Sequence, residues 1–141
     1  MDLGKYVNRE LAVRSDLTTD ALRFYEREGL LAPSAKSEGG YRLYDDSAVA
    51  RLRFVQHAQQ CGFTLAEIRE LLSLQSRESA CCDDVRRRVV EKKLQLEARI
   101  KKMQAMSTAL DALIAGCNEV DQPLFACPIL NALERAEEVQ A

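Results

Sequence analysis

The chain has 141 residues, with 20 Lys and Arg against 22 Asp and Glu, one His, five Cys and no Trp, for a formal net charge of −2. That length suits one compact domain, or a small domain with an extended element. The near-neutral balance excludes a chain that holds nucleic acid by bulk charge, so any such binding must come from locally placed cations. No apolar run is long enough to span a bilayer, and "MDLGKYVNRE" lacks the basic-then-apolar layout of a signal peptide; a cytoplasmic protein without a membrane partner is expected. In a reducing compartment, an odd number of cysteines reads as ligands, redox centres or core residues before disulfides. With His57 the sole histidine, a metal site would have to lean on sulfur.

Asn8 is expected to cap a short helix through about Ser15, and Thr18 to cap a second, "TDALRFYEREG", that closes at Gly29. Ala21, Leu22 and Tyr25 share the buried face of the second helix, Phe24 is also expected in the core, and Asp20, Arg23 and Arg27 face outward. Two short helices joined by a tight turn make a helix-turn-helix candidate. In "LLAPSAKSEGGYRLYDD", Gly39 and Gly40 followed by the alternating "YRLY" read as a β-hairpin, or wing. Asp45 or Asp46 then caps "SAVARLRFVQHAQQCG", and Thr64 with Glu67 forms a T-x-x-E capping box that opens "LAEIRELLSLQ".

The longest element, from about Asp83 to Ala115, contains no Pro or Gly. Val89, Leu96, Met103 and Leu110 recur every seven residues with Ile100, Met106 and Ile114 beside them, a coiled-coil seam about four heptads long. So small a domain cannot bury that stripe, which points to a homodimer. The same register, extended one step each way, lands on Cys82 and Cys117. About 52 Å of helix would separate the two, too far for one ion within one straight helix. An antiparallel dimer instead sets Cys82 of one chain beside Cys117 of the other, and the loop bearing Pro123 brings Cys127 back to complete the set. Such thiolates suit zinc, cadmium, lead or mercury and suit magnesium or calcium poorly. Cys81 is a candidate fourth sulfur, Cys61 is read as a core residue and His57 as a structural or surface residue. The basic run from Arg86 to Lys102 reads as a solvated coiled-coil flank facing the acidic "ERAEE" near the C-terminus.

The segments "TTDALRFYEREGLL", "SEGGYRLYDDSAVARLRFVQHAQQCGFTLAEIRELL" and the trailing "EARI" resemble the MerR family of metal-responsive transcription regulators along nearly the whole chain. The cysteine layout is most similar to the family's divalent-metal branch of zinc, mercury, cadmium and lead sensors. The resemblance implies a mainly α fold: a winged helix-turn-helix DNA-binding domain in 1–75, a hinge and long antiparallel coiled-coil dimerisation helix in 76–116, and a metal-binding loop with a short helix in 117–141. It also implies a non-enzymatic homodimer on double-stranded promoter DNA, RNA polymerase at the same promoter, and a divalent metal ion as inducer. Switching would proceed by bending and untwisting the operator.

By the same resemblance, Thr18, Thr19, Asp20, Arg23 and Tyr25 of the second helix and Lys36, Tyr41 and Arg42 of the wing contact DNA. A cysteine at the place of Cys82 implies doubly charged ions, since the copper, silver and gold sensors carry serine there. Asn118 and nearby Gln122 stand where zinc-sensing relatives carry a cysteine and a histidine, which argues against a binuclear zinc site. A thiol-based redox regulator on the same scaffold is the alternative, although C-x9-C lacks the clustered cysteines of iron–sulfur ligation. No paired carboxylates, nucleophile–base arrangement or phosphate-cradling loop points to an enzyme.

Overall fold

The structure is a computed structural model and describes residues 6–136; the opening segment through Lys5, and Glu137 and Glu138 of the acidic ending, lie outside the described residues. Tyr6–Val7 (β1) pairs antiparallel with Arg42–Tyr44 (β3), Tyr6 opposite Tyr44, and leads the chain straight into α1 (Asn8–Ser15). This pairing moves the helix start. Val7 is the cap residue, its N–H donates to the Glu10 carboxylate at 3.4 Å, and Asn8, expected as the cap, is the first helical residue with Oδ1 buried and unpartnered.

Asp16 turns the chain in a left-handed conformation (φ 54°), which a short polar side chain tolerates. Thr18 then opens α2 (Thr19–Arg27), its hydroxyl accepting the Ala21 N–H at 3.1 Å. The wing follows as β2 (Ala35–Lys36) against β3, with Lys36 opposite Arg42 and sheet order β1-β3-β2. Gly40 supplies the positive φ (81°) that the wing turn requires, and its N–H donates to the Ser37 carbonyl at 2.9 Å.

Asp45 caps α3 (Asp46–Gln60), accepting the Ser47 N–H at 3.0 Å together with the Ser47 hydroxyl. These hydrogen bonds, the hydroxyl's foremost, hold the Asp45 carboxyl below its usual range. The reciprocal bonds of a capping box open α4 (Leu65–Gln75): Glu67 N–H to Thr64 Oγ1 at 3.2 Å and Thr64 N–H to Glu67 Oε1 at 2.8 Å. Around these elements Leu11, Leu22, Leu30, Tyr44, Leu52, Val55 and Ile68 are fully buried in one core. Each such aliphatic side chain contributes about 1.5–3 kcal/mol on leaving water, which is what holds so small a cluster of short helices together.

The chain divides into two compact units between Val89 and Val90, within α5 (Cys82–Gly116). After α5 the chain passes through a loop and a 3-10 turn (Leu124–Ala126) into α6 (Pro128–Arg135), with Pro128 at the first helical position. Along α5 the seam residues Val89, Ile100, Met103, Met106, Leu110 and Ile114 are exposed in the single chain, Met103 at 66%, and Leu96 is half-buried. The basic run is partly neutralised by Arg87 to Asp83 at 3.1 Å, Arg88 to Glu70 at 2.5 Å and Lys93 to Glu97 at 3.8 Å. Lys92 departs from the expected solvated flank: it is buried and its Nζ donates to Gln95 Oε1 at 3.0 Å. Among the described residues no helix is long and apolar enough to cross a membrane.

Candidate DNA interface and metal-binding residues

The N-terminal turn of α2 presents Thr18, Thr19 and Asp20, with the Thr18 hydroxyl committed to the cap and Asp20 exposed beside Arg23, 3.4 Å from its guanidinium. Glu26 ties this helix to the wing. Its carboxylate accepts from Arg42 at 2.8 Å, and burial, with the Glu26 charge as a lesser cause, raises the Tyr44 phenol above its usual value. Arg23, Glu26, Arg27 and Arg42 consequently line one concavity between the helix and the wing, three cations around one acid that is already paired. Such a cluster suits a phosphate backbone. Lys36 and Tyr41 extend the exposed wing beyond it.

Tyr25 is corrected by the structure. It is 9% exposed, belongs to the core, and its hydroxyl donates to Gln59 Oε1 at 3.0 Å. Helical spacing with Leu22 had placed it there, whereas the family resemblance had turned it to DNA. Phe24, expected in the core, is instead 38% exposed, one step round the helix from that face. Glu26 and Arg27 join the site without a motif to mark them, since the Glu26–Arg42 pair spans sixteen positions and leaves no local signal. Arg23→Ala is expected to weaken the operator complex about tenfold and lower its salt slope by about one, with metal affinity unchanged. Fluorescence anisotropy against salt measures both.

Cys82 is the first residue of α5 and is exposed. It lines an apolar cavity of about 560 Å³ with Phe54, Cys61, Leu71, Cys81 and Val85, all in the N-terminal unit. Cys61 is therefore an exposed thiol on a cavity wall, not a core residue; it follows the last turn of α3, where the chain is already leaving the core. His57 lines the same cavity. Adjacent Cys81 is engaged differently from Cys82: its N–H donates to Asp84 Oδ2 at 2.8 Å, and Asp84 N–H donates back to its carbonyl at 3.0 Å. The backbone bond is the chief reason the Asp84 carboxyl titrates below its usual range.

Cys117 directly follows α5, and Cys127 caps α6 with its carbonyl accepting the Asn131 N–H at 3.1 Å; both are half-buried. Between them lies a nine-residue loop whose Gln122 carries a buried, unpartnered Oε1. Two thiols with an uncommitted carbonyl oxygen between them fit zinc or a heavier divalent ion better than magnesium or calcium. Among the described residues of one chain, no three His, Cys, Asp or Glu side chains come together to hold a metal ion.

Two family models match the chain: "MerR HTH family regulatory protein" over residues 6–75 and "MerR, DNA binding" over residues 49–113. The chain is 39% identical over 127 residues to the HTH-type transcriptional regulator ZntR of Escherichia coli (strain K12), spanning 89% of this chain and 90% of that one. It is 35% identical over 124 residues to heavy metal-dependent transcription regulator 2 of Rhizobium meliloti (strain 1021), spanning 88% and 83%. The crystal structure of the transcription regulator PbrR691 from Ralstonia metallidurans CH34, in complex with lead(II), superposes with a TM-score of 0.82 at 35% identity, covering 91% of this chain and 98% of that one. The wing joined to α2, the long helix α5 and these matches lead to one conclusion: the chain belongs to the MerR family of DNA-binding transcriptional regulators.

Proposed function

We propose that this regulator is a cytoplasmic homodimer that senses a soft divalent ion, zinc, cadmium, lead or mercury, and activates a metal-resistance promoter. Residues 1–75 would bind DNA, 76–116 would dimerise and 117–141 would carry the metal loop. The ligands are Cys117 and Cys127 of one subunit with Cys82 of the partner subunit, one site at each end of the dimer. The observation that carries this reading is the register: Cys82 opens α5, Cys117 follows its last residue, and both fall in line with Val89, Leu96, Met103 and Leu110. An antiparallel seam through those side chains meets the two cysteines end to end. Further support comes from the lead(II) bound by the similar PbrR691 and from the heavy-metal dependence of the Rhizobium relative. The exposed Val120, Leu124 and Phe125, the last at 85%, offer apolar area that a partner subunit would cover.

Thr19, Arg23 and the wing cations Lys36 and Arg42 hold the operator, and metal capture untwists it so that RNA polymerase engages the promoter. Switching then rests on DNA shape. Cys81, whose backbone N–H is tied to the Asp84 carboxylate, is the weaker candidate for a fourth ligand. The second reading, a thiol redox regulator, draws on Cys61, Cys81 and Cys82 around one cavity. Anaerobic titration of the reduced protein separates the two: a thiolate-to-metal charge-transfer band at two ions per dimer supports metal sensing. No band with any of the four ions, together with a peroxide-dependent promoter response, would replace it with the redox reading.

A further inference from the structure

Glu28 is the cap residue that ends α2, and it is held from α4. Arg69 Nη1 donates to the Glu28 backbone carbonyl at 2.8 Å and reaches its Oε2 at 3.1 Å, so one guanidinium nitrogen both caps the helix and pairs with its terminal acid. The next residue of α4 faces a different element. Glu70 Oε2 accepts from Arg88 at 2.5 Å, in the second turn of α5 and one residue before Val89, where the seam begins. Arg69, Glu70 and Arg88 border one concavity, and all of these side chains belong to the N-terminal unit. The same turn of α4 is seated in the core by Ile68, which is fully buried. Apolar burial has no direction, whereas charge-assisted hydrogen bonds do. The two pairs therefore set an orientation that packing leaves free.

We infer that Arg69 and Glu70 are positioning residues that fix α2 against the start of α5, and with it the separation and tilt at which the dimer presents its two α2 helices to the operator. The inference rests on the α5 seam proposed above. With α5 fixed against its partner, any play between α5 and α2 becomes play in the half-site spacing that the dimer accepts. Arg69 and Glu70 are thus specificity-determining for operator spacing, without reading a base. Both pairs are about half exposed and add little to stability, so removing them changes orientation and leaves the fold in place.

The test uses the full-length, reduced, metal-free protein and a palindromic duplex selected with it from a randomised pool. Two further duplexes carry the same half-sites one base pair closer together or farther apart, a shift of about 3.4 Å. The unaltered dimer is expected to prefer its own spacing. In the Arg69→Gln, Glu70→Gln variant that preference should fall about tenfold, with the dimer in sedimentation and the thermal midpoint unchanged. An equal preference in the variant and the unaltered protein would overturn the inference. If the variant is less stable, Glu70→Arg combined with Arg88→Glu decides, because it re-forms the pair with its charges exchanged. Spacing preference restored above that of Glu70→Arg alone supports the positioning role, and preference no better than that of Glu70→Arg refutes it. A monomer in sedimentation of the unaltered protein would instead remove the dimer reading, and this inference with it.

Discussion

Cys117→Ser is expected to abolish metal-dependent activation while leaving operator binding by the metal-free protein unchanged. Serine keeps the size of the side chain and removes the soft donor, so a site built on three thiolates falls to two. Loss of an outer-shell partner alone costs about 10- to 100-fold in metal affinity, and loss of a direct ligand should exceed that. Cys117 lies beyond α5 in the C-terminal unit, and it has no part in α2 or the wing, where the DNA-facing cations sit. Metal titration with transcription from the target promoter measures the first effect, and anisotropy with labelled operator the second. A variant that still responds to metal would exclude Cys117 as a ligand. One that loses operator binding would mean that the residue supports the fold.

The second large effect is expected from the seam. In the single chain Met103 is 66% exposed and Leu110 57%, although both are long apolar side chains in heptad register. Replacing both with lysine places four desolvated charges in the dimer, and nothing on the neighbouring turns of α5 is positioned to pair all of them. The double variant should run as a monomer in sedimentation and bind operator about 1,000-fold more weakly, because a single module retains little beyond non-specific affinity. Its N-terminal unit should stay folded, since the core around Leu22, Leu52 and Ile68 owes nothing to those positions. Persistence of a dimer with unchanged operator affinity would move the subunit contact off this face.

What was legible in the sequence was local. The Thr18 and Asp45 caps, the Thr64–Glu67 box and the limits of α5 each depend on residues within four positions of one another. The wing turn at Gly40 was legible for the same reason. Features that depend on distant pairing were not: β1 is two residues long and exists only because Tyr44 and Leu43 lie opposite it, and this pairing displaced the cap from Asn8 to Val7. Tyr25 shows helical periodicity prevailing over family resemblance, with Leu22 and Tyr25 three apart on the buried face. At the candidate site, the register of Cys82 and Cys117 could be counted from the heptads. The orphaned oxygen of Gln122 depends on side-chain geometry that no spacing reveals.

The proposal that each metal site is shared between subunits is tested most directly by mixing variants. A Cys82→Ser chain and a Cys117→Ser, Cys127→Ser chain each lack part of every site as homodimers, so neither should give the three-thiolate charge-transfer band with mercury or lead. In their purified heterodimer an antiparallel arrangement unites the intact Cys117 and Cys127 of one chain with the intact Cys82 of the other. The predicted result is one metal ion per heterodimer with the band restored at half the intensity of the unaltered dimer. A heterodimer as silent as its two parents would contradict the shared site.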